Sequence, residues 1–168
     1  LDGTLIDSKD VMRGAYHAAY AEVVGDDRMP PFSEYCRYLG QSFPRIMEQM
    51  GLPAAMFEAF KRESIRNMHR VTMFDGVREV LDELSRHGVR LAIATGKDHA
   101  RAAALLEHLD IARHFSMLLG SDDVPRQKPA PDMAFRILEH FELDPSRTLF
   151  VSDAAADLEL GRRAGVWS

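Results

Sequence analysis

The sequence predicts an α/β fold, a doubly wound parallel sheet with an α-helical segment inserted after the first strand. Two observations carry this prediction. From Val89 onward, short apolar runs alternate with helix-like segments, as parallel strands covered on both faces require. Between about Asp10 and Thr72, in contrast, apolar residues recur at helical spacing and no strand-like alternation occurs. The predicted division is a discontinuous core of residues 1–9 and 73–168 and a helical insert of residues 10–72.

The elements follow in order. A first strand ends near Leu1. In KDVMRGAYHAAYAEVVG the residues Val11, Ala15, Ala18 and Ala19 form an apolar side, and SEYCRYLG, SFPRIMEQMG and AAMFEAFKRESIRNMH continue as helical segments. Met56, Phe60 and Met68 are read as packing residues, since methionine and phenylalanine fill cores far more often than they build sites. VREVLDELSRHG places Val77, Leu81 and Leu84 on one helical face and ends at Gly88, a plausible stop. VRLAIA (Val89–Ala94) is a strand, and a helix begins near Asp98. FSMLLG (Phe115–Gly120) is a second strand after which a helix starts at Pro131, a residue tolerated in the first turn. TLFVSD (Thr148–Asp153) is a third strand, and DLELGRRAG returns to helix.

At 168 residues the chain is the size of one domain with a small module. Its net charge of -5 argues against non-specific nucleic-acid binding. Cys36 is the only cysteine, so no internal disulfide forms and a reducing, cytoplasmic setting is expected. No apolar run reaches the roughly 18 residues of a spanning helix, so no membrane partner is expected. A monomer or weak dimer is anticipated.

Ligands of such sheets bind beyond the carboxyl ends of the strands, and four groups fall there. They are Asp2-Gly3-Thr4 after the first strand, Thr95-Gly96-Lys97 after LAIA, Lys128 in QKPAPD, and Asp153 with Asp157 after TLFV. Singly, each has a local account: Thr95 or Asp153 capping a helix, Lys128 a solvated charge, Gly3 and Gly96 turn residues. Together they describe an anion-and-metal site. Carboxylates on adjacent loops suit a hard cation such as Mg²⁺, while a hydroxyl, backbone N–H groups and a lysine suit a phosphoryl group. The seven histidines and single cysteine form no zinc pattern, and no nucleotide-binding glycine motif is present.

LDGTLIDS, IATGK, KPAPD and SDAAADLELGRRAG resemble, in that order, the four motifs of the haloacid dehalogenase-like hydrolases. The insert resembles the small cap of the phosphoglycolate phosphatase and beta-phosphoglucomutase branch. The resemblance spans the whole chain and implies Mg²⁺-dependent phosphoryl chemistry through an aspartyl-phosphate. Asp2 matches the second Asp of the first motif, the general acid and base, with its backbone carbonyl reaching Mg²⁺. The nucleophilic Asp of that motif would stand immediately before Leu1, and relatives continue past GRRAGVW with another strand and helix. Thr95 and the Gly96 amide would bind phosphoryl oxygens, Lys128 would neutralise charge, and Asp153 and Asp157 would hold the metal.

Two departures are visible. Ser152-Asp153-Ala154 stands where many relatives have Gly-Asp-Ser or Gly-Asp-Thr, removing one hydroxyl near the metal and adding another. Lys97 fits a surface position as well as a cavity-facing one. The expected substrate is a small phosphorylated metabolite, selected by the insert. Arg45, in LGQSFPRIM, is the leading candidate for a second anionic group, and Asp7, Ser8, Arg13, His17, Gln41 and Ser42 lie nearby. A sugar-phosphate mutase and a catalytically degenerate phosphate-binding protein are the alternatives. Dehalogenase and phosphonoacetaldehyde hydrolase readings fit Asp2-Gly3-Thr4 less well.

Overall fold

The computed structural model describes all 168 residues. The chain begins in a tight loop in which the amides of Thr4, Leu5 and Ile6 all donate to the Leu1 carbonyl. It then enters strand β1 (Ile6–Asp7), which pairs antiparallel with β2 (Thr72–Met73) in the register Ile6 to Met73 and Asp7 to Thr72. The segment between them therefore leaves and returns at the same place.

That segment folds as four helices: α1 (Lys9–Val23), α2 (Phe32–Cys36), α3 (Phe43–Gln49) and α4 (Met56–Arg66). Their apolar faces form a cluster of 13 buried residues drawn only from positions 12–60. At its centre the Phe43 and Phe60 rings stack with centroids 4.1 Å apart, an arrangement worth about 0.5–1.5 kcal/mol beyond the area it buries. The buried stripe of α1 is Val11, Met12, Ala15, Tyr16, Ala19 and Tyr20. Ala18 faces solvent, contrary to expectation. Pairs at i, i+1, i+4 and i+5 define this stripe, and residue 18 falls outside it. Met68 packs against Ile6, Val11, Val71 and Leu105 instead of joining the insert's cluster.

The second half holds α5 (Val77–Arg86), β3 (Leu91–Ala94), α6 (His99–His108), β4 (Phe115–Leu119), α7 (Asp132–Phe141) and α8 (Ala155–Ala164). β3 and β4 are parallel, with Ala92, Ile93 and Ala94 opposite Met117, Leu118 and Leu119. Successive strand residues face opposite ways. Ile93 packs with Leu81, Leu106 and Ile111 under α5 and α6, while Ala94 joins Met133, Leu138 and Leu160 under α7 and α8. Helices thus cover both faces, as a doubly wound sheet requires.

The run Thr148–Asp153 differs from expectation. It makes one parallel bridge, Leu149 to Trp167, supported by hydrogen bonds from the Phe150 amide to Trp167 and from the Trp167 amide to Thr148. Leu149 and Val151 are exposed, and the run does not join the β3–β4 ladder. No helix is long and apolar enough to cross a membrane.

Candidate active site

The parallel ladder runs one residue past β3, where the Thr95 amide donates to Leu119 O at 2.9 Å. Thr95 is thereby fixed at the carboxyl end of the sheet, 3% exposed. Its hydroxyl accepts the Lys97 amide at 3.2 Å, and the N-cap of α6 is Asp98, which accepts the Arg101 amide. Thr95 is not a helix cap. Asp153 is not one either, because Ala154 occupies that position on α8.

A cavity of about 370 Å³ opens here between the sheet edge and the insert. Asp2, Gly3, Thr95, Gly96, Lys128, Asp153 and Asp157 all line it. Loops from four separate parts of the sequence thus converge on one space. Arg45 does not reach it. That side chain is exposed and donates to Oε1 of Gln41, just before α3, at 2.9 Å. Gln41 and Ser8 do line the cavity, whereas Ser42 is buried against Gln127, and Arg13 pairs with Asp10 at 3.3 Å.

Asp2 is the most constrained carboxylate. Lys97 Nζ donates to its Oδ1 at 2.9 Å, and the Ser8 hydroxyl donates to the same oxygen. Burial pushes this carboxyl up, but the Lys97 charge chiefly, with Ser8, holds it well below the usual carboxylate range. Lys97, which the sequence left between surface and cavity, has a side chain only 10% exposed. A TGK tripeptide gave no sign of this partner 95 residues away.

Lys128 is 2% exposed and is no solvated loop charge. Its Nζ donates to Ala94 O at 2.8 Å and sits 2.5 Å from Asp157 Oδ1, a close charge contact without good hydrogen-bond direction. Burial pushes the ammonium pKa down, opposed by Asp157 first and then Asp2 and Asp153. Asp157 also accepts the Ser152 hydroxyl at 2.5 Å. The hydroxyl that Ser152 adds to the motif therefore supports one of the two carboxylates following TLFV. Asp153 accepts Thr4 Oγ1 at 2.8 Å.

The donors are all oxygens, the type a hard divalent cation takes. Asp157 Oδ1 is buried against the Lys128 ammonium 2.5 Å away, so a cation there would have to share or displace that contact. Asp2, Asp153 and Asp157 do not gather into a ready-made group of three, because each is engaged by a protein partner. The residues fit such an ion in kind, and binding would exchange these partners for it.

Two glycines make the close approaches possible. A Cβ on Gly3, whose φ is +74°, would lie 2.1 Å from Asp153 Oδ2. A Cβ on Gly96 would lie 2.2 Å from the Gln41 carbonyl oxygen, so Gly96 lets the insert's loop rest directly on the loop that follows β3. The neighbour is backbone, so Gly96→Ala must displace that loop. A loss of about 1–3 kcal/mol in urea unfolding is expected, and an unchanged midpoint would show that the loop yields freely.

An α/β sheet with carboxylates, a threonine and a buried lysine at its strand ends defines a hydrolase core of the phosphoryl-handling class. Comparison with known proteins gives the family. A profile of the haloacid dehalogenase-like hydrolases matches residues 1–168, and the chain belongs to that family. It is 29% identical to the phosphoglycolate phosphatase of Escherichia coli O157:H7, over 98% of this chain and 76% of that protein. The Salmonella typhi phosphoglycolate phosphatase is 28% identical over the same shares. Among solved structures, a hydrolase from Pseudomonas syringae superposes with a TM-score of 0.88 at 22% identity, covering 99% of this chain and 79% of that one. CbbY from Rhodobacter sphaeroides, in complex with phosphate, superposes with a TM-score of 0.84 at 22% identity over 99% and 80%.

Sequence reasoning named Lys97 without its partner Asp2, and it did not single out the lining residues Tyr35 and Arg101. Tyr35 reads as core filler in FSEYC. Arg101 had a signal, a lone cation within the alanine-rich run of α6.

Proposed function

We propose that the full-length protein is a Mg²⁺-dependent phosphatase acting on a small phosphate monoester through an aspartyl-phosphate. The observation that carries this is the buried Lys128, held against Asp157 beside Asp2, Thr95 and Asp153 in one cavity. A buried ammonium among carboxylates is costly to keep unless a ligand's charge is to be met there.

In this reading the nucleophile is the first Asp of the motif, at the position before Leu1. Thr95 Oγ1 and the Gly96 amide orient the phosphoryl oxygens, and Lys128 offsets the charge that develops on them. Asp2 protonates the leaving oxygen and then takes a proton from the attacking water. Its ionised form suits the second role. An incoming phosphoryl group, being anionic, raises its pKa toward the first. Asp153, Asp157 and the Asp2 carbonyl would hold Mg²⁺, which supplies electrostatic stabilisation of the transferring group. The core is residues 1–9 and 73–168, the cap residues 10–72, and closure of the cap over a compact metabolite would exclude water. Phosphoglycolate is the first substrate to test, on the likeness to the phosphoglycolate phosphatases.

Hydrolysis of p-nitrophenyl phosphate is expected to require Mg²⁺ and to stop with EDTA. Full activity after metal removal would refute the metal's part. Interconversion of hexose phosphates dependent on a bisphosphate activator would replace phosphatase by mutase.

A further inference from the structure

We infer that Tyr35 of the cap and Arg101 of the core form a second polar subsite, which takes a carboxylate at the non-phosphoryl end of the substrate. The inference rests on the phosphatase reading of the cavity and names the substrate class that reading leaves open.

Arg101 is 7% exposed, an unusual place for a guanidinium. Its Nε is spent on Asp98, and its guanidinium lies 5.5 Å from the Phe60 ring centroid and 5.7 Å from that of Phe57. These contacts fix the group but leave Nη1 and Nη2 without a protein acceptor, while the side chain lines the cavity. Tyr35 is 3% exposed, lines the same cavity and packs against the same Phe60 ring, with centroids 6.3 Å apart. The two other buried tyrosines of the cap spend their phenols, Tyr16 on Pro30 O and Tyr20 on Asp26. The Tyr35 phenol has no such partner. Burial, then the Asp2 charge, push its pKa up against the opposing Arg101 charge, so it stays a donor.

A guanidinium that can only donate, beside a phenol with an unused O–H, calls for an acceptor-rich group. A carboxylate matches the planar fork of Arg101 with one oxygen left for the phenol. A second phosphoryl group would bring two charges to a cation already balanced by Asp98. Phe43 and Phe60 line the same cavity, so the wall beside the pair is apolar. Because Arg101 belongs to the core helix α6 and Tyr35 to the cap helix α2, a bridging carboxylate also ties the two together.

The test uses the full-length protein with phosphoglycolate and hydroxyethyl phosphate, which differ by a carboxylate against a hydroxymethyl group. Arg101→Gln should lower kcat/KM on phosphoglycolate about 10–100-fold and Tyr35→Phe about 3–10-fold, as expected for lost charge-assisted bonds. Each should leave hydroxyethyl phosphate within about threefold, which also shows that the variant folds. Combined, the two should fall short of the product of their separate effects. Equal losses on both substrates would assign the pair to packing and overturn the subsite. A wild-type protein that hydrolyses hydroxyethyl phosphate as well as phosphoglycolate would overturn it too, with the phosphatase reading intact. Absence of all Mg²⁺-dependent phosphatase activity would instead remove that reading and the subsite with it.

Discussion

Asp2→Asn is expected to lower kcat on p-nitrophenyl phosphate by about 10²–10⁴, the usual worth of a positioned acid or base, while KM changes little. The geometry explains why one atom matters. Lys97 and Ser8 both donate to Oδ1 of Asp2, which leaves Oδ2 without a side-chain donor in a residue that lines the cavity. It is the oxygen left to exchange a proton with a leaving group or water. Asparagine keeps the size, and its amide oxygen can keep the Lys97 and Ser8 contacts, but it carries no exchangeable carboxyl proton. The backbone carbonyl is untouched. Turnover unchanged in Asp2→Asn, measured at saturating substrate, would move the acid–base role to another group. A rise in KM matching the fall in kcat/KM would make Asp2 a binding residue instead.

The legible part of this protein was the part written in local pattern. Apolar runs such as LAIA marked β3, Gly88 and Asp98 marked helix ends, and four short motifs marked residues that line the cavity. Each of these depends on neighbours in sequence. What escaped depends on distant partners. TLFVSD has a strand's composition, yet strand pairing belongs to two segments at once, so composition alone does not place it beside Trp167. Lys97 finds Asp2 across the sheet edge, and Arg101 finds the Phe57 and Phe60 rings of the cap. Arg45 lies outside the cavity for the converse reason. Its loop neighbours the cavity, but on α3 its side chain turns outward, while the backbone of Gln41 beside it meets Gly96. Which face a helix presents is set by packing, and the insert's packing is decided by its aromatic cluster.

Lys128→Met should cost more than any surface change. The side chain is among the most deeply buried in the molecule, and its removal leaves Asp157, itself 5% exposed, as an uncompensated buried carboxylate. Breaking a buried pair in this way typically costs about 3–5 kcal/mol, a fall of roughly 6–20 °C in Tm for a chain of this size. Methionine fills most of the lysine's volume, so the loss reports charge and not a cavity. The double variant Lys128→Met, Asp157→Asn removes both charges and should recover much of the stability. Activity should follow a different course. Lys128 would meet the transferring charge directly, so kcat on p-nitrophenyl phosphate should fall about 10²–10³-fold in the single variant and stay low in the double. Recovery of stability without recovery of turnover would separate the two roles of this lysine. Recovery of both would leave it a structural counterion of Asp157 alone. A single variant as stable as the parent would mean that Asp157 meets solvent or protonates at little cost once the lysine is gone.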